Sequence, residues 1–281
     1  MKKANRKLIP AVAMLLVSAI MMSTASFAWF SMNDTVKATG MTVKAVSNDA
    51  FLQIANKTQT FSDPGITVSA ANSSKLDLLP VHPANSTYNS GDYVSKTHKL
   101  TGSETFSTIK WITASATAAN EADAKAGTYA LIKDNTATDS GATEGKLAEA
   151  KDSYYSLYNE FFVRLKFNNA ELAKPLYVKS AKLTAAAGDS ISESVRVAFV
   201  GANGYSIWKF DQDGKGTQEV GAAKGKILDK VPQMTTSSGT EESKIQTYIY
   251  YDGEDPTCST DLAAVGKSYA VEFELTINEP A

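Results

Sequence analysis

The chain has 281 residues, with 28 basic and 30 acidic side chains and a formal net charge of −2. This mildly acidic balance argues against a nucleic-acid partner, because binding to phosphates needs clusters of lysine and arginine. A single cysteine, Cys258, excludes a framework of internal disulfides, so burial and backbone pairing must hold the fold together.

The first 28 residues have the organisation of a secretory signal peptide. Four basic residues precede an almost wholly apolar run from Leu8 to Met22, and Ser26 and Ala28 are small residues where a signal peptidase reads. The run is about 15 residues long, and a transmembrane helix needs roughly 20. We therefore predict a signal helix over 1–28, cleavage by signal peptidase after Ala28, and a protein secreted to the extracellular space or cell surface. The alternative is an uncleaved leader, which would then be the chain's one membrane contact.

Residues 29–46 would form a new N-terminus that is apolar at its end and then alternates as a strand does. The apolar positions change phase once, at Gly40, which predicts a β-bulge or a kink. An extended end of this kind is a candidate for strand addition to a neighbouring subunit, and an ordinary first strand of its own domain is the alternative. The residues that would supply the buried contacts of such a donor strand are Trp29, Phe30, Met32, Val36, Ala38, Met41 and Val43.

The remaining chain, 47–281, alternates apolar and polar residues in many short segments, which is typical of half-buried strands. In Tyr269–Ile277, for example, the aromatic and aliphatic side chains share one face and two glutamates lie on the other. With the N-terminal segment, the predicted strands are 36–46, 51–54, 109–112, 161–167, 177–183, 195–199, 205–210, 247–251 and 269–277. Regularly spaced short strands predict one all-β domain, an antiparallel β-sandwich.

Turns and insertions complete this predicted domain. Gly201–Gly204 predicts a hairpin and Asp211–Gly216 a second turn. Two polar stretches without a core pattern, at about 63–108 and 114–150, predict long surface loops. A short helix is expected near Gly145–Lys151, where alanine, leucine and glutamate favour it.

The chain shows no sequence motif for catalysis. Its two histidines, His82 and His98, lie in a polar stretch without a recognisable motif, and we expect them to be solvated. A nucleophile elbow, a phosphate loop and a His-Glu-x-x-His helix are all missing from the sequence. A zinc site would need three or four His/Cys ligands, and the three such residues of the chain are dispersed. We therefore predict that the protein is not an enzyme.

Carboxylates near two turns are candidate calcium ligands, since calcium takes hard oxygen donors. The alternative is that these residues form the turns without any ion. The five candidates are Asp211, Asp213, Asp252, Glu254 and Asp255. Calcium is the one cofactor that the sequence suggests.

Tyrosines are frequent between residues 154 and 251, at Tyr154, Tyr155 and Tyr158 and again at Tyr248, Tyr250 and Tyr251. Rings in such groups can form a sugar-binding platform or pack a sandwich, and packing is the interpretation we favour.

The sequence Ala-Ser-Phe-Ala-Trp-Phe at 25–30, followed by Gly-Met-Thr-Val-Lys-Ala at 40–45, resembles the TasA/camelysin family of secreted bacterial surface proteins. In that family a dedicated signal peptidase cuts just before an aromatic N-terminus, and the chain ends in an alternating strand similar to 269–277. Tyr250–Cys258 is also similar to a stretch in relatives. The resemblance covers 1–46 and 161–281 and is absent over 63–145.

The resemblance implies a jelly-roll-like sandwich and a fibre subunit of a biofilm matrix. It also implies a head-to-tail homopolymer, in which the N-terminal segment of one copy completes the sheet of the next. Some camelysin relatives have been described as metalloproteases, but without a His-Glu-x-x-His helix the resemblance does not extend to that role here.

Three other functions remain open at the level of sequence. The chain could be a monomeric surface sandwich whose polar insertions bind a glycan or a host protein. It could be an exported hydrolase that depends on His82 or His98. It could also be a pilin-like subunit that keeps its apolar N-terminal helix as a filament core.

Overall fold

The computed structural model describes residues 37–45, 51–55, 67–71, 78–88, 98–114, 129–132, 144–149, 153–166, 174–185, 189–232, 242–258 and 269–281. The chain divides into two units, Met1–Asp34 and Thr35–Ala281, and everything described lies in the second. The predicted leader, its cleavage site and the candidate residues Trp29, Phe30, Met32 and Val36 therefore lie outside the described residues.

The described part of the chain is built from fourteen strands, and the all-β prediction is confirmed. They are β1 (Lys37–Ala45), β2 (Phe51–Ala55), β3 (Thr67–Ala71), β4 (His82–Ala84), β5 (Lys110–Ala114), β6 (Tyr129–Leu131), β7 (Leu157–Lys166), β8 (Leu176–Thr184), β9 (Val195–Val200), β10 (Tyr205–Phe210), β11 (Gly216–Gly221), β12 (Lys226–Leu228), β13 (Ser243–Tyr251) and β14 (Ala270–Thr276). The described residues contain three short 3-10 turns and no α-helix, and none of their elements could cross a membrane as a helix.

Two large sheets share the main hydrophobic core. Sheet A has the order β12-β8-β14-β1-β3, and sheet B has the order β11-β10-β9-β13-β7-β2. Phe273 of sheet A packs against Phe161 and Phe199 of sheet B, with ring centroids 5.6 and 4.8 Å apart. The sheets therefore pack face to face, as the alternating pattern of their strands requires.

A third, small sheet of order β4-β5-β6 covers the other face of sheet B. Trp111 of the small sheet packs edge-on against Tyr250 of β13 at 4.9 Å, in a second core that includes Tyr158 and Tyr248. The packing role predicted for these tyrosines is confirmed. Because sheet B has a core on each face, all six residues of β9 are buried.

All nine predicted strands are present, but the polar insertions are not simply surface loops. The first insertion, at about 63–108, contributes β3 to sheet A and β4 to the small sheet. It also buries Val81, Ala84 and Tyr88. The second insertion, at about 114–150, contributes β6 to the small sheet. The prediction of surface loops is wrong for these strands, because a short strand can join a sheet or cover one with few large apolar residues of its own. The helix expected near Gly145 is also absent from 144–149, where Gly145 instead adopts a left-handed turn.

Strand β1 lies inside sheet A, between β14 and β3. It pairs parallel with β14, in a register that runs from Thr42 opposite Glu272 to Ala45 opposite Leu275. It pairs antiparallel with β3, and this register shifts by one residue between Ala38 and Met41. The bulge predicted at Gly40 is therefore confirmed. Among the paired strands of the described residues, β1 and β14 form the one parallel pair.

The turn between β10 and β11 connects the two large sheets. The turns predicted at Gly201–Gly204 and Asp211–Gly216 are both present. In the second of them, Gly214 has φ +74°. The carbonyl of Gly214 accepts the amide of Leu183 in β8 at 2.8 Å. A Cβ added at Gly214 would lie 1.9 Å from the carbonyl oxygen of Leu183. This position therefore requires glycine for both its backbone angle and its close approach to sheet A.

We predict that Gly214→Ala lowers the free energy of unfolding by roughly 2–4 kcal/mol, because the turn must move away from β8. The matched control is Gly253→Ala, where the added Cβ would meet its nearest atom, a Pro80 side-chain carbon, at an ordinary 3.4 Å. Urea unfolding followed by tryptophan fluorescence measures both variants. Equal stability of the two would contradict this account of the turn.

Candidate functional site

The described part of the predicted donor strand is β1, which carries Ala38, Met41 and Val43. Ala38 stands opposite Ala70 of β3, and Val43 stands opposite Phe273 of β14. In this single chain β1 therefore pairs with strands of the same chain. This is the alternative that the sequence left open, in which β1 is an ordinary first strand of its own domain. Without β1, the facing edges of β14 and β3 would lack backbone partners. We call the space between these two edges the β1 slot.

The five calcium candidates belong to two different environments. Asp211 is exposed, and its Oδ1 accepts the backbone amides of Asp213 and Lys215 at 3.1 and 2.8 Å. These contacts are turn chemistry of the kind that aspartate provides without an ion. Asp252, Glu254 and Asp255 lie instead on the loop after β13, where they contact cationic and imidazole side chains.

Arg196 of β9 is the centre of this second group. Its side chain is only 4 % exposed and donates to Glu219 at 2.7 Å and to Asp255 at 2.9 Å. A third carboxylate, Asp252, lies 3.6 Å away. Burial alone would lower the pKa of Arg196, but the charge of Asp252 and the charge and hydrogen bond of Glu219 raise it. The guanidinium is therefore permanently charged and needs these carboxylates as counterions.

His98 is buried and His82 is 14 % exposed beside the same carboxylates, so the expectation of solvated loop histidines is wrong. His82 Nδ1 lies 2.7 Å from Oδ1 of Asp252, and His82 Nε2 lies 3.5 Å from Oε2 of Glu254. His98 is 2 % exposed, and its Nε2 lies 2.6 Å from Oε1 of Glu254. The rings meet edge to face with centroids 5.5 Å apart. These three nitrogen atoms face carboxylate oxygens.

Backbone pairing brings these distant residues together. The amide of Val81 donates to the carbonyl of Tyr251 at 2.9 Å, and the amide of Gly253 donates to the carbonyl of Val81 at 3.0 Å. These bonds place His82, at the start of β4, beside Asp252. The amide of Asn85 donates to the carbonyl of His98 at 2.8 Å, which places the second ring beside the first. We call His82, His98, Asp252 and Glu254 the His–carboxylate cluster.

Electrostatics in this cluster follow from burial and pairing. Burial alone would lower the pKa of His82, but the hydrogen bond and charge of Asp252 and the charge of Glu254 raise it. Burial alone would raise the pKa of Asp252, but its bond to His82 and the charges of His82 and Arg196 lower it. Among the described residues, the group whose ligand atoms all lie within 4.8 Å of one another is His82, His98 and Glu254. Sequence reasoning missed this group because Glu254 is 156 residues from His98 and follows no ligand spacing.

A separate cavity of about 700 Å³ lies beside sheet B, and loop residues at 102–107, 146–149 and 201–204 form most of its wall. It is lined by the aromatic side chains of Phe106, Trp111, Tyr205 and Tyr248, and the last of these stacks on Phe106 at 5.3 Å. Glu104 and other polar residues stand at its wall. A cavity of this size and composition can hold a small ligand.

Neither a family model nor a curated protein nor a solved structure matches the chain.

We predict that Arg196→Met lowers the free energy of unfolding by about 3–5 kcal/mol, because it leaves the buried carboxylate of Asp252, together with Glu219 and Asp255, without its counterion. The matched control is Lys179→Met, which removes a lysine that is 48 % exposed and paired with Glu274, and should change stability by less than about 1 kcal/mol. Urea unfolding of both variants at neutral pH provides the measurement. A loss at Arg196 no larger than that at Lys179 would contradict the counterion role.

Cys258 gives a second prediction from this loop. Burial raises the pKa of its thiol to about 11, and the thiolate is the form that reacts with alkylating agents. At pH 8 we expect iodoacetamide to modify the folded protein on the order of 100-fold more slowly than the urea-unfolded protein. Similar rates in both states would show that the thiol is exposed and ionised.

Proposed function

We propose that the protein is an exported structural subunit of an extracellular fibre that assembles by exchange of its N-terminal strand. Cleavage after Ala28 frees residues 29–46, and β1 then occupies the β1 slot of a neighbouring copy. The single observation that supports this proposal most is the position of β1, which completes sheet A from the beginning of the chain and forms its parallel pair. A jelly-roll-like connection of the sandwich, as in the family that the sequence resembles, belongs to the same proposal.

The β1 slot is suited to exchange for a simple energetic reason. The same backbone hydrogen bonds form whether the strand comes from the same chain or from another copy, so exchange costs little once the strand is released. Phe273 is 3 % and Leu275 is 0 % exposed, so the slot borders the main core and an unfilled slot would be costly. Either its own or another copy's strand must therefore fill it.

Exchange of this kind is head-to-tail. Each copy donates its strand to the next and accepts one from the previous copy, so the contact does not close and propagates as a filament. In this proposal Trp29, Phe30 and Met32 add apolar contacts on the neighbour, which favours the exchanged form over self-pairing.

A disulfide staple between β1 and β14 tests the exchange. Thr42 and Glu272 are register partners, so Thr42→Cys with Glu272→Cys, in a Cys258→Ser background, can hold β1 in its own sheet. We expect the oxidised, stapled monomer to form no fibres by electron microscopy, and reduction to restore them. The matched control is Lys182→Cys with Glu272→Cys, which staples β14 to β8 and leaves β1 free to exchange.

The contact between β1 of one copy and β14 of another can be detected directly. A mixture of the single variants Thr42→Cys and Glu272→Cys, polymerised and then oxidised, should yield covalent dimers that neither variant yields alone. Fibres that form equally well from the stapled Thr42–Glu272 monomer would overturn the mechanism. Absence of fibres from the cleaved, unmodified protein would overturn the function.

A second candidate function is supported by the aromatic cavity of about 700 Å³. A monomeric surface module that binds a glycan would use the partly buried ring of Phe106 as an apolar contact for sugar. The staple separates the two proposals, since a binding module works equally well with β1 fixed in its own sheet.

A further inference from the structure

We propose that His82, His98 and Glu254 bind one divalent transition-metal ion of the zinc class, and that this ion fastens the small sheet to the loop after β13. The proposal is independent of fibre assembly, because none of the three residues belongs to sheet A.

The ligand atoms already converge to within coordination range. Nε2 of His98 lies 2.6 Å from one carboxylate oxygen of Glu254, and Nε2 of His82 lies 3.5 Å from the other. Ligands around a tetrahedral zinc ion, at bonds of about 2.0–2.1 Å, stand roughly 3.3 Å from one another. Entry of the ion therefore needs side-chain adjustments of less than an ångström at these two contacts.

Asp252 holds His82 in the orientation that a ligand needs. Its Oδ1 lies 2.7 Å from Nδ1 of His82, and in the tautomer with the proton on Nδ1 the lone pair of Nε2 is directed towards Glu254. Asp252 is itself fixed, because the same oxygen accepts the amide of Glu254 at 3.0 Å. A buried carboxylate that supports a histidine from behind is the usual outer partner of a metal-bound imidazole.

Charge at the cluster also favours a cation. With neutral imidazoles, the carboxylates of Glu219, Asp252, Glu254 and Asp255 face one buried guanidinium, that of Arg196. Lys99 and Lys209 line the same cavity, but both are exposed. Nε2 of His82 and Oε2 of Glu254 face each other at 3.5 Å, and a cation can lie between them.

The donor set selects the kind of ion. Two imidazoles and one carboxylate suit zinc and its neighbours, whereas calcium and magnesium prefer oxygen ligands alone. Beside His82 and Glu254 lies a cavity of about 410 Å³, which leaves room for water to complete the coordination. The ion would join β4 and the loop at His98 to a residue 156 positions away, and so would stabilise the docked small sheet.

Isothermal titration calorimetry of the chelator-treated full chain with ZnCl₂ tests the proposal. We expect one saturable site with a micromolar or tighter dissociation constant, and no comparable uptake of Ca²⁺ or Mg²⁺. His98→Gln and Glu254→Gln, which keep the size and polarity of the cluster, should each weaken binding at least tenfold. The matched control is Glu274→Gln, which removes a carboxylate of sheet A that is paired with exposed Lys179, and it should bind zinc as the unaltered chain does.

Two further readouts keep the result independent of folding defects. Co²⁺ in place of zinc should give the intense visible absorption of a tetrahedral site, and Glu254→Gln should lose it while its circular dichroism stays unchanged. Zinc should also raise the melting temperature of the unaltered chain but not of Glu254→Gln. Absence of saturable zinc uptake, or undiminished uptake by Glu254→Gln, would overturn the proposal.

Discussion

The burial of sheet B on both faces is the constraint on which the rest of the molecule depends. In β9 the odd-numbered residues enter the main core, and the even-numbered ones enter the layer beneath the small sheet. Arg196 occupies one of the even positions and is only 4 % exposed, so it needs carboxylates as counterions. The loop after β13 supplies Asp252 and Asp255, and β11 supplies Glu219. With Asp252 placed beside Arg196, His82 acquires its partner.

Sheet A depends on a different arrangement, in which the first and the last strand that the structure describes are neighbours. β14 is the last strand and β1 is the first that the structure describes, and their parallel pairing closes the sheet around Phe273. Parallel neighbours cannot be joined by a tight turn, so β1 is held by pairing and packing rather than by a short connection to β14. In the proposed assembly this is the strand that another copy replaces.

Much of this fold could be predicted from the sequence, because period-two alternation is strong wherever one face of a strand enters the main core. The strand at 269–277 is the clearest case, and the phase change at Gly40 even located a bulge. The strands that were missed, β3, β4, β6, β11 and β12, are short or rich in threonine, alanine and glycine, and their pattern is too weak to separate from loop. The candidate site was harder, since its members are joined only by the fold. Turn carboxylates drew attention to Asp252 and Glu254, but nothing local connected them with His82, His98 or Arg196.

The small sheet also decides how copies of this protein can meet. A flat, tyrosine-rich sheet face left open to solvent would invite sideways stacking of one molecule on the next. Trp111 and its neighbours cap that face from within the same chain. Adhesion through this face is thereby discouraged, so in the proposed assembly contact between copies is left to the exchanged strand.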